Sequence, residues 1–133
     1  MATLEHYGLE AMENHMANEE FIKALSSTNE VELTVSGRRS GRAISMPVWF
    51  VREDDGLDLV PVRGSDSDWY KNVQRVPTIR LTARGAQLTT QATPITDPAK
   101  VAEIVDKFRA KYGAQEVASH YSKQDVAMEV RLS

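Results

Sequence analysis

The sequence predicts a mainly β, α+β fold in which six antiparallel strands form a split β-barrel with flanking helices. Three features support this prediction: short runs that alternate between apolar and polar residues, tight turns between those runs, and one amphipathic helix before the last run. Tight hairpins impose antiparallel pairing, since parallel neighbours need long crossovers. Six short strands protect their edges best by curling into a barrel, and a flat sheet with helices on one side is the alternative.

The first half of the chain predicts one helix and three strands. Asn18 caps a helix whose apolar face carries Phe21 and Leu25. The period then changes to two, which predicts a strand over residues 30–36. The next elements are, in order, a turn with two glycines, a strand through Val51, an Asp-Asp-Gly hairpin turn at residues 54–56 and a strand over residues 57–62.

The second half predicts two helices and three more strands. Ser65–Asp68 caps a short helix that ends before Pro77. Asp97-Pro98 begins the longest helix, because it combines a capping carboxylate with a proline at the first helical position. The apolar stripe of this helix consists of Val101, Ile104, Val105, Phe108 and Tyr112, and Gly113 ends it. The remaining strands are predicted over residues 79–83, 87–95 and 126–132.

Composition is that of one globular domain: 133 residues, 41% hydrophobic and 26% charged. Within it we expect an N-terminal helical segment at residues 1–28 and a barrel at residues 29–133. The chain has no cysteine, which excludes disulfides, thiolate nucleophiles and cysteine-based metal sites. Its start lacks the pattern of a secretory signal and no apolar run is long enough to cross a bilayer, so we expect a cytoplasmic protein without an integral membrane segment.

Charge is unevenly distributed along the chain. The net charge is −3, yet residues 36–92 hold nine basic and six acidic residues. Four arginines of this region lie at or near glycines: Arg38, Arg39, Arg42 and Arg63. An acidic protein with one small basic focus suits a small anion better than a long polyanion, so we expect no nucleic-acid partner.

Motifs for side-chain catalysis are missing. The sequence contains no nucleophile elbow, dinucleotide fingerprint or phosphate-binding P-loop, and its three histidines lack metal-ligand spacing. The acids at residues 53–55 flank a hairpin glycine and are typical of turns. We therefore expect no metal site, and any enzymatic chemistry must come from a cofactor.

Two segments combine the residue types of a small-molecule site. Gly37–Trp49 displays adjacent arginines and a serine on a glycine-bounded loop, which suits a phosphate or carboxylate. Leu59–Asn72 runs from a strand through Arg63-Gly64 into a helix that opens with an aromatic pair, which suits an anion beside a flat ring. The alternatives are a solvated basic turn and a Trp69 that only packs the helix onto the barrel. Arg38 and Arg39 are expected to matter little for folding, since their turn holds no periodic apolar residue.

These residues resemble the deazaflavin-dependent nitroreductase and quinone-reductase family, which belongs to the FMN-binding-like split-barrel flavoproteins related to pyridoxamine-phosphate oxidases. The family pattern has a Gly-Arg-(Lys/Arg)-(Ser/Thr)-Gly loop, a Pro-(Leu/Val)-aromatic strand, a loop with a basic residue before glycine, and a Trp-Tyr-x-Asn helix. The same order occurs here at residues 37–41, 47–49, 63–64 and 69–72, and the likeness covers roughly residues 29–132.

The resemblance implies an oxidoreductase that transfers hydride from reduced coenzyme F-420, an 8-hydroxy-5-deazaflavin, to a small organic acceptor such as a quinone, nitro compound or activated alkene. It implies that the loop holds the cofactor's anionic groups and that the following strand and hairpin line the ring. The implied cofactor-binding residues are Arg38, Arg39, Ser40, Gly41, Pro47, Val48, Trp49, Val62, Arg63, Gly64 and Trp69. No catalytic residue is assigned, and the candidates near the substrate are Trp69, Tyr70, Tyr112 and Tyr121.

Departures from the family pattern keep alternatives open. Ala43 and Ile44 stand where family members commonly carry Pro-Arg, and the loop between Arg63 and Trp69 is short. FMN is therefore the alternative cofactor, in an FMN-binding split-barrel oxidoreductase. A non-catalytic cofactor-binding module is the rival from another class. By analogy with split-barrel flavoproteins we expect a homodimer.

Overall fold

The computed structural model describes residues 18–132, which form four helices, seven strands and a single 3-10 turn at Gly64–Asp66. The helices are α1 (residues 18–25), α2 (Asp68–Arg75), α3 (Pro98–Tyr112) and α4 (Ala114–His120). The strands are β1 (Glu30–Ser36), β2 (Ala43–Trp49), β3 (Val51–Glu53), β4 (Gly56–Leu59), β5 (Thr78–Ala83), β6 (Ala86–Ile95) and β7 (Ala127–Arg131). None of the helices in this part of the chain is both long and apolar enough to cross a membrane.

The strands form one antiparallel sheet in the order β2-β1-β5-β6-β7-β4-β3. Its two edge strands, β2 and β3, are consecutive in the chain and separated only by Phe50. The sheet therefore curls until its edges meet in one chain segment, which is the geometry of a split barrel. The predicted fold class is confirmed, and the strand predicted through Val51 corresponds to β2 and β3 together.

Apolar residues pack into two clusters because alternate residues of each strand point to opposite faces of the sheet. In β7, for example, Met128 and Val130 belong to the larger cluster and Ala127 to the smaller one. The larger cluster also contains the apolar faces of α1 and α2, with Phe21, Leu25 and Trp69 among its members. The smaller cluster packs the predicted stripe of α3 and the buried side of α4 against the sheet.

The ends of α3 follow the sequence prediction. The Asp97 side chain accepts a hydrogen bond from the Lys100 backbone N–H at 3.1 Å, which satisfies one free amide of the first turn. Gly113 follows the helix with a positive φ of 100°, a conformation that favours glycine. These local signals set the two ends of the long helix, and its apolar stripe packs against the sheet.

Three local predictions need correction. The strand predicted over residues 57–62 ends at Leu59; Pro61 has no N–H to donate to a neighbouring strand. At the start of α2 no side chain caps the helix, because the Ser67 hydroxyl accepts from the Arg63 N–H instead, at 2.8 Å. The short helix α4 was not predicted. The part of the predicted helical segment that covers residues 1–17 lies outside the described residues.

Candidate functional site

A cleft opens where the curled sheet splits. Strand β4 ends at Leu59, and the chain leaves the sheet through the 3-10 turn into α2. Strand β2 consequently pairs with β1 only. The resulting cleft has a volume of about 480 Å³ and lies between β2 and the segment that leads into α2. Its lining residues are Ile44, Ser45, Met46, Pro47, Val48, Val62, Arg63, Ser67, Asp68, Trp69 and Asn72.

Backbone groups of β2 face the open edge at alternate residues. The Gly37 N–H donates to the Arg42 carbonyl at 2.8 Å, so these two residues form a hydrogen-bonded pair of the β1–β2 hairpin. In an antiparallel ladder such pairs occur at every second residue, which here gives Ile44 and Met46 as the next hydrogen-bonded residues of β2. By this alternation Ser45 and Pro47 direct their main-chain groups away from β1. Proline is tolerated there because no ladder partner requires its missing N–H. The edge therefore offers the N–H of Ser45 and the carbonyls of both residues to a ligand.

The walls of the cleft are apolar. Ile44 and Val62 are each 41% exposed, which is unusual for large apolar side chains in this structure. Val48 also lines the cleft and packs against the larger core cluster, while Trp69 is only 7% exposed and joins that cluster. Exposed apolar surface in a concave site is the usual lining of a small-molecule pocket.

An arginine-lined groove adjoins the cleft. It has a volume of about 280 Å³ and shares Ile44, Asp68 and Asn72 with the cleft. Its other lining residues are Gly37, Arg38, Arg39 and Ser40. The glycine-bounded loop turns tightly here, since Gly41 has a φ of 71° and donates its N–H to the Gly37 carbonyl at 2.9 Å.

Arg38 is fixed to α2 by a buried amide. The Asn72 Oδ1 atom accepts hydrogen bonds from the Arg38 backbone N–H at 3.0 Å and from its Nη1 atom at 2.8 Å. Both partners are donors, so the oxygen of the amide must face them. Asn72 is only 4% exposed. Arg38 thus joins the loop to the helix across the sequence, so from the structure we expect it to contribute to folding, contrary to the expectation from the sequence.

The other arginines are less constrained. The Arg63 Nη2 atom lies 3.9 Å from Asp68 Oδ2, and Asp68 Oδ1 lies 3.6 Å from Arg38 Nη2. Asp68 therefore stands between two guanidinium groups. The side chains of Arg39 and Arg42 are exposed and have no polar partner among residues 18–132. Three arginines thus line the cleft or the groove, and Arg42 follows them in the adjoining loop.

Eight of the residues that the resemblance assigns to the cofactor line this continuous surface. They are Arg38, Arg39, Ser40, Pro47, Val48, Val62, Arg63 and Trp69. Gly41 lies in the loop without lining the groove. Gly64, with a φ of 55°, is buried in the 3-10 turn, where a Cβ atom would collide with Asp125 and Lys123. Gly64 therefore allows the 3-10 turn to pack closely against Lys123 and Asp125.

Trp49 and two of the tyrosines lie outside the cleft. The Trp49 ring stacks between Tyr112, with centroids 4.4 Å apart, and His120, at 4.0 Å. The Tyr112 hydroxyl accepts from the Phe50 N–H at 3.0 Å and lies 2.7 Å from the Asn29 carbonyl, to which it donates. Burial raises the pKa of Tyr112 to about 12. Its hydroxyl thus stays protonated and joins α3 to the start of β1 and the end of β2.

Tyr121 and Tyr70 are buried elsewhere. Tyr121 belongs to the smaller cluster, and burial raises its pKa. Tyr70 is 2% exposed in the larger cluster, and burial, followed by the charge of Asp125, raises its pKa. The structure therefore brings Trp69 to the cleft but none of the three candidate tyrosines.

Two polar residues at the junction were not among the predicted site residues. Asn72 belongs to the Trp-Tyr-x-Asn motif, whose spacing places it one helical turn after Asp68 and Trp69, so the motif carried a usable signal. Asp68 was interpreted only as part of a helix cap. Its contacts are with Arg38 and Arg63, which lie 30 and 5 residues earlier in the chain, and no local sequence pattern predicts such contacts.

Solved structures share this architecture at low sequence identity. An F420-H2 dependent reductase (FDR-A) is 20% identical, with a TM-score of 0.61 over 77% of this chain and 94% of that one. A putative pyridoxamine 5'-phosphate oxidase from Listeria innocua is 12% identical, with a TM-score of 0.62 over 85% and 90% of the two chains. The heme storage protein HutZ from Vibrio cholerae is 11% identical, with a TM-score of 0.64 over 85% and 87%. At these identities the likeness shows the split-barrel fold.

Sequence comparison assigns the family. No curated protein matches the sequence significantly. Residues 21–132 match the bacterial family described as "Uncharacterized protein conserved in bacteria (DUF2255)", a match that includes every strand and every residue of the cleft and groove. The chain therefore belongs to the DUF2255 family and has the split-barrel fold that reductases, oxidases and a heme storage protein also have.

Proposed function

We propose that the protein binds coenzyme F-420 in the cleft and transfers hydride from the reduced deazaflavin to a small organic acceptor, such as a quinone, nitro compound or activated alkene. The observation that supports this most is the junction of an apolar cleft with an arginine-lined groove. Such a surface matches a flat ring that carries an anionic tail. FMN has the same two features and is the alternative cofactor.

The residues present fit a ring of this kind. A volume of about 480 Å³ lies within the usual range for small-molecule sites, roughly 300–1,000 Å³. Val48, Val62 and Trp69 provide apolar contacts for the faces of the ring. The free main-chain groups of Ser45 and Pro47 provide a polar edge for its ring nitrogens and oxygens. This combination orients a flat heterocycle and keeps water from its faces.

The residues of the groove fit the anionic tail. Arg38 is held ready by Asn72, while the exposed side chains of Arg39 and Arg42 are free to move toward a ligand. Guanidinium groups bind phosphate through two parallel hydrogen bonds. Ser40 adds a hydroxyl to the same groove. The tail is thereby held away from the cleft in which the acceptor must meet the ring.

Hydride chemistry would be supplied by the ring of the bound cofactor itself. Among the residues that line the cleft, the only titratable side chains are Arg63 and Asp68. The protein's own contribution is thus to bind two flat molecules in contact, orient them and exclude water. This agrees with the missing motifs for side-chain catalysis.

The non-catalytic alternative also has support. The same fold occurs in HutZ, whose name describes heme storage. A module that only holds its cofactor would need the cleft and the groove but no room for an acceptor. A measurement of cofactor oxidation by an acceptor distinguishes this alternative from a reductase.

Parallel titrations of F-420, FMN and FAD test the proposal. We expect at least tenfold tighter binding of F-420 than of FAD, whose adenine has no evident site in the described residues. Binding of FMN alone would transfer the proposal to the alternative cofactor, and binding of none would refute both. Reduced F-420 is then mixed with a panel of quinones, nitro compounds and activated alkenes. Tight binding without oxidation of the cofactor would favour the non-catalytic module.

The homodimer remains a prediction from the resemblance, and the cytoplasmic location remains a prediction from the sequence pattern. Size-exclusion chromatography with light scattering, with and without F-420, measures the mass of the particle. A mass of one chain under both conditions would contradict the dimer.

A further inference from the structure

We propose that Asp68 is a built-in anion that occupies the arginine clamp of the site and must be displaced by the anionic group of the ligand. The inference extends the proposed function, on which its biological meaning rests. Its structural part concerns only Asp68, Arg38 and Arg63. Displacement would make Asp68 a residue that lowers the affinity of the clamp for any anion, free phosphate included.

The position of Asp68 is that of a bridging anion. It is the first residue of α2 and lines both the cleft and the groove. Its two carboxylate oxygens approach different guanidinium groups, Oδ1 that of Arg38 at 3.6 Å and Oδ2 that of Arg63 at 3.9 Å. A bound phosphate oxygen would find both donors at this place.

The position of Arg38 does not depend on the Asp68 carboxylate. Arg38 is held by two hydrogen bonds to the buried Asn72, and its Nη1 atom also lies 3.4 Å from the main-chain carbonyl of Asp68. The Arg63 main chain is held by the Ser67 hydroxyl. Removal of the carboxylate charge should thus leave the Arg38 guanidinium near its present place and free the exposed Arg63 side chain, 62% exposed, for another anion.

The contacts of Asp68 are weak enough to be exchanged. Charge-assisted hydrogen bonds are usually about 2.7–2.9 Å long, whereas these two contacts are longer. The Asp68 side chain is 73% exposed, so it can rotate into water without loss of packing. Exposed ion pairs of this kind contribute little to stability. A phosphate that binds guanidinium groups bidentately can therefore replace it.

The test measures inorganic phosphate binding to wild type, Asp68→Asn and the control Asp66→Asn by NMR titration. Asp66 is also an exposed acid of this segment but pairs with Lys123 and lines neither cleft nor groove. We expect Asp68→Asn to bind phosphate about tenfold more tightly than wild type, equivalent to about 1.4 kcal/mol. Asp66→Asn should stay within about twofold, since the control removes the same charge outside the clamp.

Three results would overturn the inference: equal affinity of Asp68→Asn and wild type, equal tightening by both variants, or no phosphate binding by any of the three proteins. Titration of the same proteins with F-420 and FMN separates it from the proposed function. Tighter phosphate binding by Asp68→Asn without binding of either cofactor would support the role of Asp68 and refute the proposed function. Cofactor binding with unchanged phosphate affinity would support the function and refute the role of Asp68.

Discussion

Asp58 is a buried carboxylate whose replacement should stabilise the protein at neutral pH. It lies in β4 and is 5% exposed. Its pairing partners in the neighbouring strands are Val51 and Glu129, so it has an acid beside it. Burial and then the charge of Glu53 raise the pKa of Asp58 from 3.8 to about 6, against the opposing effect of Lys107. The folded state therefore disfavours the ionised form of this side chain.

The sign and size of the effect follow from the two pKa values. Well below pH 4, Asp58 is protonated in the folded and the unfolded chain and makes no difference. Between pH 4 and 6 the folded chain keeps a proton that the unfolded chain has released, so stability falls as the pH rises. Well above pH 6 the penalty is complete. A shift of about 2 units at 1.36 kcal/mol per unit corresponds to about 3 kcal/mol.

Urea unfolding of Asp58→Asn and wild type at about pH 8 and pH 4 tests this reasoning. We expect the variant to be more stable at pH 8, by up to about 3 kcal/mol, with a difference of only about 0.5 kcal/mol at pH 4, where the unfolded carboxyl is partly ionised. Asp54→Asn is the control, since Asp54 is exposed in the hairpin turn with a φ of 34° that asparagine tolerates. It should change stability by less than about 0.5 kcal/mol. A variant that is less stable than wild type at both pH values would refute the argument.

Two further predictions concern the site and the aromatic stack. Arg38→Ala should lower both cofactor affinity and the melting temperature, because Arg38 fixes the loop to Asn72, whereas Arg39→Ala should lower affinity alone. Fluorescence titration measures the affinity and calorimetry the melting temperature. Equal changes in melting temperature for the two variants would contradict the distinction. Tyr112→Phe should destabilise the protein by about 1–3 kcal/mol through the lost hydrogen bonds to Phe50 and Asn29, and it should leave cofactor affinity unchanged, since the residue lies outside the cleft. A variant that unfolds like wild type, or binds F-420 more weakly, would show that the hydroxyl has another role.

Local patterns in the sequence determined most of the secondary structure. The alternation in β1, the capped start of α3 at Asp97-Pro98 and its end at Gly113 depend on neighbours within a few residues, so they are readable without the fold. The barrel class followed from the number of strands and their tight turns. The basic Gly-Arg-Arg-Ser-Gly loop could also be recognised from the sequence, because its residues are adjacent in the chain.

Only the tertiary structure decided which of these residues meet. The curl of the sheet leaves the β2 edge open beside Val62 and Trp69, and it places Trp49 in a different cluster although it is adjacent to Val48 in sequence. Arg38 contacts Asn72 across 34 residues, which changes its role from a solvated turn residue to a structural one. Such contacts depend on how strands pair and where the sheet splits. These contacts result from the sum of many weak packing interactions along the whole chain. The residues that line the site could therefore be identified only from the fold.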